Sequence, residues 1–168
     1  MKTKIAYFGM FTALALIFGY VESLVPISFG IPGVKLGLAN LAVVIVLYLM
    51  DVKSAYLLSV LRIVLSGFLF GNLFGILYSL AGGLLSLSVM ILLKKTNAFS
   101  VVGVSVAGAV CHNIGQLIVA TIVLESVSIA NYLPVLMIAG IITGFVIGII
   151  ALETMKRLKK MKWYLVLD

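Results

Sequence analysis

The residues of this chain that could do chemistry are few, and they sit inside apolar stretches. Arg62 is embedded in Leu, Ile and Val, with Ser59 and Ser66 at i−3 and i+4, so a helix brings all three onto one face. His112, Asn113 and Gln116 form a second group, in which Gly108, His112 and Gln116 make one i, i+4 stripe. Glu22, Asn40 and Asn72 add a carboxylate and two amides near the ends of other apolar segments. Lys35 is the only basic residue between Ile5 and Asp51. It lies in Pro32-Gly33-Val34-Lys35-Leu36-Gly37-Leu38-Ala39-Asn40, a turn leading into a helix, where Gly37 and Ala39 leave the backbone approachable. Inside a bilayer such groups face a bundle interior or a water-filled cavity, and each needs a partner. Lys35 and Arg62 offer positive charge, and Asn40, His112, Asn113 and Gln116 offer directional hydrogen bonds. The chemistry this suits is capture of a small polar or anionic molecule. Plainer readings stand beside it: an Arg62–Glu22 structural ion pair, a hydrogen-bonded structural His112, and a Lys35 that snorkels to the headgroups.

Catalytic patterns are not evident. The sequence has no Gly-x-x-x-x-Gly-Lys-[Ser/Thr] phosphate loop, so ATP hydrolysis by that route is excluded. No His, Cys and carboxylate spacing suggests a metal site, and no cofactor motif is read. Asp51 and Asp168 are the only aspartates, too few for magnesium-dependent diphosphate chemistry by this chain alone.

The elements that must position these groups are membrane helices. The chain is 64% hydrophobic and 10% charged, with a mean hydropathy of +1.31, against ~25% charged residues in soluble domains. It reads as an all-α integral membrane protein whose 168 residues form one transmembrane domain. Segments of ~20 apolar residues cross the ~30 Å hydrocarbon core. Six are expected, near Ile5–Val25, Leu36–Met50, Ser54–Phe70, Leu73–Leu93, Val101–Leu124 and Tyr132–Leu152. The second is short, and five spans is the competing count if it is re-entrant. The first segment is too long for a signal peptide and is expected to stay as an anchor. The lone Cys111 rules out a disulfide framework.

The net charge of +7 is distributed for orientation rather than for nucleic acid. Six spans place ten of the twelve basic residues on one side and Lys35 alone on the other, with Arg62 inside a span. The positive-inside rule then makes this a multi-pass protein of the cell membrane with both termini cytoplasmic. The run Lys156–Lys162 suits the anionic inner leaflet. Small residues recur at helical spacing: Gly9 and Ala13, Ala15 and Gly19, then Gly75, Ser79, Gly82 and Ser86, and finally Gly140, Gly144 and Gly148. Such stripes let helices approach closely in lipid. The last two sets read as packing within one bundle. In the first span, docking of another membrane protein competes with packing.

Four stretches together resemble a known family. They are Pro32 to Asn40, Arg62-Ile63-Val64-Leu65 with Phe70-Gly71, Ser79-Leu80-Ala81-Gly82-Gly83, and His112-Asn113-Ile114-Gly115-Gln116. They look like the Gx transporter family, also labelled heptaprenyl diphosphate synthase component I. That family is similar to the S components of energy-coupling factor (ECF) transporters, six-helix membrane proteins that bind a vitamin-like substrate from outside. The resemblance implies an S-component-like bundle and ATP-driven uptake with a transmembrane T subunit and two ATPases. It places T-subunit docking at Gly9 and Ala13, with Gly in place of the usual first Ala. It also links the family with isoprenoid or quinone synthesis and with extracellular electron transfer. An accessory subunit in such synthesis is the alternative function, and a structural anchor in an electron-transfer assembly is a third.

Overall fold

The structure, a computed structural model, describes residues 2–24 and 37–160. Every described element is a helix: α1 (Lys2–Leu24), α2 (Leu38–Leu49), α3 (Val52–Phe70), α4 (Leu73–Thr96), α5 (Val101–Val123), a 3-10 helix (Val127–Tyr132) and α6 (Leu133–Lys160). Helix starts are set by side chains that accept the first free amides. Asp51 takes Ser54 N at 2.8 Å, Asn72 takes Gly75 N at 2.7 Å and Ser100 takes Gly103 N at 3.1 Å. Asn97, with φ 54°, ends α4 in the left-handed conformation that Asn tolerates.

Among the described residues five helices are long and apolar enough to cross a membrane, namely α1, α3, α4, α5 and α6. The second expected span is different. Its helix has 12 residues, about 18 Å of rise, well short of the ~30 Å core. It is also the most enclosed element, for every residue from Leu41 to Leu47 is buried. An all-round apolar helix is stable only inside a protein or a membrane, and here α1, α3 and α6 wrap it. The last helix runs past the apolar segment to Lys160 and carries the first cations of the basic run, which suit a helix C-terminus.

The remaining helices enclose α2 and each other. α5 packs along both α4 and α6. Glycine makes these approaches possible: Gly144 and Gly148 lie against the Val106 and Val102 backbone, and Gly115 against the backbone of Ala81 and Gly82. The expected stripe of α6 and the Gly82 and Ser86 half of the α4 stripe are therefore seen as packing, whereas Gly75 and Ser79 line a cavity. In α1 the two stripes divide. Ala15 is buried and Gly19 faces Ser66 and Phe70 of α3, whereas Gly9 and Ala13 point out of the bundle and nothing lies within 4 Å of a Cβ built on Gly9.

The two ends of the bundle differ. At one end Lys4 pairs with Asp51 at 2.6 Å, and Lys94 donates to Leu47 O while lying 4.8 Å above the Tyr48 ring. That lysine satisfies a terminal carbonyl of α2 and opposes its dipole. The dry core occupies the adjoining half and contains Phe11, Leu47, Leu58, Leu87, Met90, Val104 and Met155. In the other half a cavity lies between the helices, and polar residues gather there.

Candidate functional site

The opposite half holds a cavity of about 170 Å³ formed by the end of α1, the start of α2, the end of α3 and the start of α4, with α5 behind them. Three of the four stretches singled out by sequence contribute through residues such as Asn40, Arg62 and Ser79. His112 brings in the fourth. Residues far apart in sequence thus line one space.

The first turn of α2 organises the cavity wall. Gly37 adopts φ 74°, a conformation that glycine reaches without strain. Its amide donates to Glu22 Oε1 of α1 at 2.5 Å. This puts a carboxylate at the N-terminal end of a helix, where the dipole favours negative charge. One turn on, Asn40 Oδ1 accepts from Arg62 Nη2 of α3 at 2.5 Å. Arg62 Nε is buried and has no acceptor among the described residues. Leaving a buried charged donor unmatched costs more than an ordinary hydrogen bond is worth.

The Arg62–Glu22 ion pair, the plainer alternative to ligand contact, does not form among the described residues. Glu22 acts on Arg62 by charge only, because the first turn of α2 gives each group its own neutral partner. Of the two serines on the Arg62 face, Ser66 shares the cavity with Arg62 and Ser59 does not. Ser59 is buried against Gly83 of α4, while Ser66 lines the cavity beside Gly19.

The polar group on α5 separates as well. His112 lines the cavity and also a smaller space of about 50 Å³ deeper in the bundle, shared with Asn40, Ser86, Ser105 and Thr143. Asn113 points instead to α6 and donates to Leu136 O at 2.7 Å, over Gly140. Successive residues on a helix are about 100° apart, so neighbours in sequence serve different interfaces. Gln116 packs against Gly82 and edges a third, apolar groove of about 340 Å³ with Tyr78, Leu124, Tyr132 and Leu136. Asn72 lines the main cavity while its side chain caps α4. Lys35 lies outside the described residues. Sequence reasoning missed Ser23 as a wall residue and read Ser79 as packing. For Ser79 the spacing from Asn72 and Gly75 was the available signal, since all three fall on one helix face.

These stretches are read together by a model of one family. The model, described as heptaprenyl diphosphate synthase component I, matches residues 11–154, which include every residue lining the cavity. The chain belongs to that family. No curated protein and no solved structure matches it. Within this heptaprenyl diphosphate synthase component I chain, Gly9 falls before the matched region and Ala13 within it.

Proposed function

We propose that this chain is a membrane-embedded substrate-binding subunit, S-component-like, that captures a small polar or anionic molecule from outside the cell. The observation that carries the reading is Arg62 on the wall of a cavity with several polar residues, fixed by Asn40 and with further N–H donors to give. The arrangement of the two halves supports it: a dry core near the basic end would seal the inside, and the cavity lies toward the far end. In this reading both termini are cytoplasmic and α2 is a sixth, short crossing. Lys35, outside the described residues, is a second cation of the binding set. Glu22, Asn40, Asn72 and His112 form the wall with Arg62, Gln116 flanks it across Gly82, and Asn113 holds α5 to α6. Gly9 and Ala13 meet a transmembrane T subunit coupled to two ATPases, since their face of α1 packs against nothing in the bundle.

The test is mass spectrometry of small molecules released from gently purified full-length protein, with Arg62→Met as the companion variant. Losing a hydrogen bond to a charged group costs about 1.5–3 kcal/mol, at least about tenfold in affinity. A folded Arg62→Met protein that retains the same small molecule at wild-type occupancy would refute the site.

A second reading is an accessory membrane subunit in isoprenoid or quinone synthesis. The family's description favours it, and the apolar groove beside Gln116 would suit a hydrocarbon chain. Prenyl synthase activity that appears only when this chain is mixed with a soluble partner would establish it.

A further inference from the structure

Among the described residues, the charged ones lining the cavity are Arg62 and Glu22, one of each sign. Opposite charges sharing a low-dielectric wall would ordinarily pair, because their attraction is weakly screened there. Here they do not. Glu22 is engaged by the Gly37 amide and Arg62 by the Asn40 side chain. Both holding groups lie at the N-terminal end of α2, which keeps the charges apart. The cavity therefore presents a fixed positive pole from α3 and a fixed negative pole from α1. Each pole retains capacity: a guanidinium that gives one N–H to Asn40 has others left, and a carboxylate that accepts one amide has lone pairs left.

A purely anionic molecule would gain from Arg62 and be repelled by Glu22. A purely cationic one would meet the reverse. A molecule carrying both an anionic acceptor and a cationic N–H donor satisfies the two poles at once, and Lys35, the second cation of the binding reading, would add to the hold on its anion. We propose that the site selects a compact zwitterion, its carboxylate or similar anion on Arg62 and its ammonium-type donor on Glu22. This rests on the binding reading above and narrows it from a polar or anionic molecule to one with both signs.

The decisive variant is Glu22→Gln. Glutamine keeps a side-chain oxygen to accept from Gly37, so the start of α2 is preserved while the negative pole is removed. The probe is the set of small molecules released from wild-type full-length protein, identified by mass spectrometry and titrated back onto wild type, Glu22→Gln and Arg62→Met. The expected probe bears an acidic group and a basic nitrogen, and each variant weakens it at least about tenfold. A released molecule with acidic groups only, bound more tightly by Glu22→Gln than by wild type, would overturn the zwitterion and leave the binding reading intact. Release of no small molecule from wild type would overturn the binding reading and this inference with it. A thermal stability of Glu22→Gln within a few degrees of wild type confirms that the variant reports the charge and not the fold.

Discussion

Gly82→Ala tests how tightly the wall behind the cavity is built. A Cβ at Gly82 would stand 2.6 Å from the His112 carbonyl oxygen, 2.9 Å from Gln116 Cγ and 3.1 Å from His112 Nδ1, where ordinary contact begins at 3.4 Å. The glutamine can swing aside, but the carbonyl is backbone inside a helix. α4 and α5 must therefore part by about 0.8 Å at this point, the difference between 3.4 and 2.6 Å. Overpacking of this kind costs about 1–3 kcal/mol, and alanine returns up to about 1 kcal/mol of helix propensity. The net loss is about 1–2 kcal/mol, or roughly 2–8 °C in Tm for a chain of this length. The assay is thermal unfolding of the detergent-solubilised protein, with Gly9→Ala as control. Both sites are glycines in small-residue stripes of membrane helices, yet Gly9 has nothing within 4 Å of an added Cβ, so its variant should be neutral or slightly stabilised. Because Gly115 packs against the same Ala81–Gly82 backbone, Gly115→Ala added to Gly82→Ala should cost less than the sum of the two. Equal Tm values for Gly82→Ala and Gly9→Ala would refute the close approach of α4 and α5.

Other expectations follow from single contacts. The Lys4 ammonium hydrogen-bonded to Asp51, together with Ser54, holds the Asp51 carboxyl at about 2 against an ordinary 3.8. The folded pKa is depressed, so this stabilisation is complete above pH ~4 and is lost as pH falls through about 2. Both partners are more than a third exposed, so the ion pair is worth at most about 1 kcal/mol and should weaken with salt. Asp51→Asn keeps the helix cap and should lose only that part, whereas Asp51→Ala should lose about 1 kcal/mol more in chemical denaturation. Asn113→Leu removes the bond to Leu136 O and should lower stability by about 1 kcal/mol while leaving small-molecule occupancy unchanged; lost occupancy with normal stability would return Asn113 to the site. With Cys111 replaced, a cysteine at position 35 should label from outside the cell and one at position 95 should not, and the reverse pattern would invert the proposed orientation.

Sequence and tertiary structure divided the determination of this protein along a physical line. Hydropathy and helix caps are properties of short windows, so the sequence alone placed α1, α3, α4 and α5 to within a few residues, and the polar residues that matter stood out against lipid. The order of the motifs also carried the family. What a side chain touches depends on neighbours far along the chain. Leu36–Met50 and Leu133–Lys160 are both apolar, but only the packing of α1, α3 and α6 makes the former a short buried core helix. The Gly9 and Gly144 stripes look alike in sequence, and only the bundle shows that one faces outward and the other meets the Val106 backbone. His112 and Asn113 are adjacent, yet the turn of the helix sends one to the cavity and the other to α6. The separation of Arg62 from Glu22 was likewise hidden, because the groups that hold them apart, the Gly37 amide and the Asn40 side chain, reach them only when α1, α2 and α3 come together.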